Sequence, residues 1–403
     1  MTRTRDVDHV VVGLGGLGSA ATYWLAAIGQ AAARDETVVG LEQFELGHDR
    51  GASHDHSRII RYSYHRPGYV RLAAEAYETW AAVAAEAGEE LVVRTGGIDL
   101  FPAEGAIPMS DYATSLDAVG VAYEVLDADD VRRRHPQFHH TDDVVPQAQA
   151  DTGIAPAARG TAAHQRLAAT RGVELRAGVA VERVESDGAG ELTVVTPDGA
   201  YRTGSVVMCA DAWTAELLEP LGVRLPLEVT REQVAYFPLD DPTLSSFAIG
   251  RFPVWIWMDD PCFYGFPVYG DPGAVKVAED VGGRPTTART RTFDPDVEAL
   301  ERMTSFLRRV LPAVADGARA DGPRVTTCLY ALTPDRDFVL DTVPGHPGLQ
   351  VGLGSAHGFK FASWFGRALA ERAVLGATRS DIESFRIDRP ALTDPTFVAN
   401  YMT

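Results

Sequence analysis

Lysine is nearly missing from this chain: Lys276 and Lys360 stand alone against 35 arginines. A guanidinium is a flat fork that stays charged, whereas an ammonium is a compact point charge whose pKa can shift. Two readings follow, an arginine-biased composition with two survivors, or two positions where only an ammonium serves. The surroundings, Gly-Ala-Val-Lys276-Val-Ala and Ala-His-Gly-Phe-Lys360-Phe-Ala, are apolar. A charge in such a setting costs free energy unless a partner or a task holds it there.

Positive charge is short overall. A net charge of −19 argues against nucleic acid and against anionic membrane surfaces as partners. The widely spaced Cys209, Cys262 and Cys328 give neither a disulfide framework nor a zinc pattern. No uninterrupted apolar run reaches the roughly 18 residues of a membrane helix. Residues 1–9 lead into a short apolar strand without a signal-peptide core, so the chain reads as cytoplasmic. His135, His139 and His140 sit in a polar loop beside Pro136 without metal-ligand spacing, and no metal site is expected there.

What is present begins with order. The 403 residues, 45% hydrophobic and 23% charged, suit two domains or one interleaved pair. An apolar strand from Val10 breaks into Gly-x-Gly-x-x-Gly at Gly13, Gly15 and Gly18, followed by a helical run to Ile28. The first glycine permits the turn and the second lets the backbone approach a pyrophosphate. The third lets helix and strand pack closely, with helix amides aimed at the phosphates. The next strand ends at Glu42, 24 residues beyond Gly18, where an acid can take the ribose hydroxyls of an adenosine. This pattern predicts a dinucleotide and leaves NAD and FAD both open.

Beyond it, helical periodicity is read over 69–87, 110–119, 157–171, 297–311 and 365–375. Strands are read over 97–101, 325–332 and 338–340, and consecutive strands over 173–209. Residues 226–278 hold many β-branched and aromatic residues between prolines and glycines. No repeat or clean linker separates these segments, which fits domains that interleave.

Four further motifs follow in order: Ser53-His54 through Ser57-Arg58-Ile-Ile-Arg61, Tyr264-Gly-Phe-Pro267 with Lys276, Thr327-Cys328-Leu-Tyr330, and His357-Gly-Phe-Lys360. With the glycine motif they span nearly the whole length. The chain resembles the monomeric sarcosine oxidase and N-methyltryptophan oxidase family, FAD-dependent amine oxidases of the D-amino-acid-oxidase-like superfamily. The resemblance implies an α/β chain, α+β overall, in which a Rossmann-type FAD-binding domain (1–90, 151–220 and 325–403) interleaves with a mixed or antiparallel-sheet substrate domain (91–150 and 221–324). It implies FAD, with Gly13, Gly15, Gly18, Glu42, Ser53, Arg58, Cys328, Gly358 and Lys360 contributing to its site, and a thioether from Cys328 to the flavin.

The same resemblance implies roles at the reacting end. Arg58, His54 and His357 lie by the flavin ring, and Tyr330 lies beside the substrate. Arg61 and Lys360 grip the substrate carboxylate, a task suited to a guanidinium fork. Lys276 is the lysine of the oxygen site, where an ammonium stabilises developing superoxide. The implied partners are a small amino acid and dioxygen, with the chain acting as a monomer. The expected reaction oxidises the C–N bond of a secondary amino acid, N-methyl or cyclic, giving an imine and hydrogen peroxide. A cyclic imino-acid oxidase of a biosynthetic pathway, or a flavin dehydrogenase with another acceptor, remain alternatives. A flavin-binding subunit without activity is the plain one.

The sequence departs from the family at two acids. Asp280 stands where relatives often carry histidine, and is read as a substrate contact for a cationic amine or for a second polar group of a larger substrate, which makes sarcosine itself a poorer fit. Asp211 replaces a glycine near the cofactor and puts the close backbone approach in question. Trp255 and Trp257 share one face by alternation, which is either a pocket wall or ordinary core. Asp99 lies inside an apolar strand and faces either the pocket or solvent.

Overall fold

In the computed structural model, residues 4–139, 142–317 and 322–398 are described. His140 lies outside them. Among the described residues, the valine-rich strands His9–Val12, Val38–Leu41 and Ser205–Met208 sit at the centre of a six-stranded sheet, as near-continuous apolar runs covered on both faces do. Glu174–Arg176, Val38–Leu41, His9–Val12, Ser205–Met208 and Leu349–Leu353 run parallel in that order, and Val339–Thr342 closes the edge antiparallel. Helices Gly16–Ala31, Ala157–Thr170 and Ala362–Leu375 pack against this layer. A helix Pro67–Ala87 begins on proline and ends at Gly88 in the left-handed region (φ 66°), a usual start and stop.

The second layer is a nine-stranded sheet, built around the long strand Glu228–Pro238. That strand pairs antiparallel with Ala274–Asp280 and with Arg324–Leu332. Beyond Ala274–Asp280 the sheet continues through Cys262–Gly265, Val254–Trp257, Gly97–Pro102 and Val144–Gln149. The helix Val297–Val310 covers one face, with Ala299, Met303, Phe306, Leu307 and Val310 buried at helical spacing.

Side chains alternate across a strand, and here the alternation sorts the site from the core. Ala235, Phe237, Trp255, Trp257, Phe263, Val275 and Val277 face the covering helix and join one core cluster with Phe306 and Leu307. Thr230, Glu232, Cys328, Tyr330, Lys276, Asp280, Tyr264, Ile256 and Asp99 occupy the other face by register. The pocket reading of Trp255 and Trp257 is therefore wrong. Their indoles lie against Phe306, with ring centroids 6.0 and 5.4 Å away, while Ile256 and Met258 line the cavity. Asp99 faces the site rather than solvent.

The observed elements follow the predicted ones within a few residues; the last long helix starts earlier, at Ala362, because the turn Gly358–Phe361 runs straight into it. No helix among the described residues is long and apolar enough to cross a membrane.

Candidate active site

The first cavity, about 420 Å³, opens along the glycine turn at residues 13–18. Gly13 has φ +86°, and a Cβ there would lie 2.6 Å from the Cys209 carbonyl oxygen. At Gly18 a Cβ would fall 1.8 Å from the Gly13 oxygen, so helix and strand meet only without side chains. Glu42 is buried at the end of its strand, its Oε2 accepting from the Leu14 amide (2.9 Å) and its Oε1 from the Phe44 amide (3.1 Å). Ser53 Oγ accepts from the Gly16 amide at 2.8 Å, which ties the helix N-terminus to the segment carrying Arg58.

A second cavity, about 430 Å³, is walled by Arg61, Tyr64, Met258, Tyr264, Asp280 and Lys360 among others. Arg58, Tyr330, Ala356 and Phe359 line both spaces, so the two meet there. Arg58 is held by backbone carbonyls alone, those of Ser57 (2.8 Å), Ala52 (2.7 Å) and His54 (3.0 Å). Among the described residues it forms no ion pair, though Asp55 lies near enough to feel its charge.

Arg61 is buried and donates to Asp99 Oδ2 at 3.1 Å, while its Nε has no partner. Its guanidinium and the Lys360 ammonium lie over the Tyr64 ring, 5.3 and 5.6 Å from the centroid. Lys360 has no carboxylate within ion-pair distance among the described residues. Burial and the Arg61 charge push it down to about 7. The Trp80 indole donates to the Lys360 carbonyl at 2.8 Å and fixes the turn that presents it. Across the cavity Asp280 accepts from the Tyr330 hydroxyl at 3.4 Å and has no cationic partner among the described residues.

Lys276 is buried apart from the substrate cavity. Its ammonium donates to Asp55 Oδ2 (2.6 Å), Ser57 O (3.0 Å) and Ser57 Oγ (3.2 Å). Burial lowers it to about 8, against the pull of Asp55. Asp55, which also accepts from the Tyr236 hydroxyl, is held well below the usual carboxylate range by the Lys276 and Arg58 charges despite its burial.

Residues 8–372 match the model of the DAO family, described as FAD dependent oxidoreductases. The chain belongs to this family. It is an FAD-dependent oxidoreductase that acts on amines. It is 33% identical to a monomeric sarcosine oxidase of Streptomyces avermitilis over 96% of this chain and 97% of that one. It is 29% identical to an N-methyl-L-tryptophan oxidase of Yersinia pestis over 95% and 99%. Among solved structures, NikD, an unusual amino acid oxidase essential for nikkomycin biosynthesis, superposes with a TM-score of 0.82 at 29% identity, over 95% of this chain and 97% of that one.

The residues of this flavoenzyme fit FAD. The glycine turn leaves a cradle that side chains would fill, Glu42 waits buried at the strand end, and two buried polar atoms on the cavity wall, His54 Nε2 and Asp211 Oδ2, lack partners. Asp211 holds a left-handed backbone conformation of the kind glycine adopts readily (φ +46°). Burial raises its carboxyl to about 7. Gly358 lines the same cavity.

His357 lines the substrate cavity instead; its Nε2 lies 3.1 Å from the Arg336 carbonyl and its ring rests on Phe338. Burial holds it neutral, down to about 3, and His54 likewise to about 4. Cys328 is not on the cavity wall itself. Leu329 and Tyr330 beside it are, and the thiol is buried under the influence of Arg58.

Sequence reasoning missed Asp55, Tyr64 and Glu232, and it singled out Asp99 without its pairing to Arg61. Asp55 had one local signal, an acid three residues before Arg58, but its lysine lies 221 residues away.

Proposed function

We propose that this flavoenzyme oxidises the C–N bond of a secondary amino acid, N-methylated or cyclic, as a cytoplasmic monomer using dioxygen as acceptor. The carrying observation is that a cavity bearing the free ammonium of Lys360 meets the dinucleotide cavity at Arg58 and Tyr330. Bound FAD supplies the two-electron oxidant. Gly13, Gly15, Gly18, Glu42, Ser53 and Gly358 hold its dinucleotide part, within a layer drawn from 1–90, 151–220 and 325–403. The segments 91–150 and 221–324 supply most of the substrate wall.

Arg61 and Lys360 take the carboxylate, one as a fixed fork and one as a point charge. Asp99 keeps the Arg61 fork in place. That grip sets the amine at the junction and makes the encounter effectively intramolecular. The amine reacts in its neutral form, since an ammonium has no lone pair to assist C–H cleavage. Tyr330 and Asp280 face its other side, and Asp280, without a cationic partner among the described residues, favours a substrate with a further donor over sarcosine. Arg58 favours negative charge at the junction, next to neutral His54, while neutral His357 lies on the substrate-cavity wall. The imine product is hydrolysed, to aldehyde and amine when the substrate is N-methyl.

Lys276 serves dioxygen as it becomes peroxide, through a buried ammonium held in place by Asp55 and Ser57. Cys328 tethers the cofactor.

The test is the protein's absorbance before and after acid precipitation, followed by a peroxide assay over N-methyl and cyclic amino acids. Yellow pellet and peroxide are expected. Yellow supernatant would overturn the tether and spare the amine chemistry; a protein with FAD that no secondary amino acid reduces would overturn the function.

A further inference from the structure

The strand pairing places one buried acid against Cys328. Glu232 is directly opposite Cys328 in the antiparallel ladder between Glu228–Pro238 and Arg324–Leu332. Directly opposed residues put their Cβ atoms about 5 Å apart on the same face. That face also carries Tyr330, which lines both cavities. Glu232 is 4% exposed, and among the described residues no cation lies within ion-pair distance of its carboxyl. Its Oε1 accepts from the Thr230 hydroxyl at 2.5 Å. The loop closes over it at Gly283, where a Cβ would fall 2.4 Å from that oxygen.

We propose that Glu232 is the proton acceptor for Cys328 when the chain attaches its own cofactor. This rests on the thioether reading above. In the net change the Cys328 S–H bond and one C–H bond of the flavin 8α-methyl group break and the S–C bond forms. The two electrons and two protons released reduce dioxygen to hydrogen peroxide. Thiolate, not thiol, is the nucleophile, and Glu232 takes the proton that the sulfur must lose.

The neighbours argue for this choice. Arg58 and Arg291 are cations, and Lys276 spends all three protons on Asp55 and Ser57. Asp55 is committed to Lys276 and Tyr236. Tyr264 and Tyr330 are buried phenols whose pKa values burial raises further. Asp280 and Glu279 on the adjacent strand, with Thr230 and Gly283, complete the groups acting on Glu232. Burial, with the charges of Asp280 and Glu279, lifts the Glu232 carboxyl to about 7, and burial lifts the thiol to about 11. Moving a proton from sulfur to carboxylate leaves the buried charge unchanged, so the site avoids the cost of creating a second anion. Arg58 then faces the thiolate.

The experiment uses full-length apoprotein from riboflavin-limited cells. FAD is added in air, and samples are quenched in acid to measure flavin in the pellet. The wild-type rate should rise with pH through about 7. Glu232→Gln should bind FAD without tethering delay in uptake, yet transfer it to the pellet about 10²-fold more slowly, with the pH limb gone. Tethering of Glu232→Gln at the wild-type rate would overturn the role of Glu232 alone. A wild-type chain that binds FAD and never tethers it would overturn the thioether as well. Should Glu232→Gln fail to take up FAD, Thr230→Val decides. Loss of the hydroxyl that stabilises the carboxylate should move the limb to higher pH, and an unmoved limb would overturn the proposal.

Discussion

Lys276 and Asp55, 221 residues apart, form a buried ion pair with Nζ 2.6 Å from Oδ2. The carboxylate offsets the desolvation that burial imposes on the ammonium. Burial still lowers Lys276 to about 8, so its charge is present below that pH and lost as pH rises through it. Flavin reoxidation by dioxygen should therefore slow above about pH 8. Asp55→Asn should move that fall to lower pH, because the attraction that favours the ammonium is gone. Stopped-flow reoxidation across pH checks both.

Lys276→Met should slow reoxidation by about 10²–10³-fold and leave anaerobic reduction by the amine within about twofold of wild type. Equal slowing of both half-reactions would place Lys276 in substrate chemistry instead. Unchanged reoxidation would favour an acceptor other than dioxygen.

A carboxylate needs Lys360 protonated, and the lysine sits at about 7 in the free cavity. Affinity for a non-oxidisable aliphatic carboxylate should fall as pH rises above that value, while Arg61 retains its charge throughout. Lys360→Met should flatten the profile and weaken binding by about 1.5–3 kcal/mol. Titrating the inhibitor against the flavin spectrum measures it free of the amine's own ionisation.

Asp99→Ala leaves the Arg61 guanidinium buried without its counter-charge. Such a change should cost about 3–5 kcal/mol of stability, visible in urea unfolding. Combining it with Arg61→Met should recover part of that loss, because the two side chains are one unit.

Trp255→Ala should cost about 3–5 kcal/mol and leave substrate preference alone, since the indole packs on Phe306. Met258→Ala, on the cavity face, should change the ratio of kcat/KM values between amines of different size. Specificity that follows Trp255 instead would contradict the sheet's facing.

These contrasts mark what could be read from the chain. The glycine turn and Glu42 were legible because their chemistry needs a fixed local spacing, and the turn's backbone has no room for Cβ atoms at Gly13 and Gly18. Alternation told that Trp255 and Trp257 share a face, but both faces of Val254–Trp257 are buried, so no polar pattern said which one meets the helix. Asp99 was ambiguous for the same reason. Asp55 and Glu232 acquire meaning only through strands and turns brought together across more than ninety positions, in pairings such as the register of Glu232 opposite Cys328. No period in the sequence carries that information.

The central claim is that a secondary amino acid, held by Arg61 and Lys360, reduces the flavin of this chain. Anaerobic mixing of the purified protein with N-methyl and cyclic amino acids, followed through the visible flavin band, tests it most directly. The account predicts complete bleaching by at least one of them, recovery of the band on admitting air, and loss of bleaching at the same substrate concentration in Lys360→Met. A flavin that stays oxidised with every secondary amino acid, or bleaches equally well without Lys360, would contradict it.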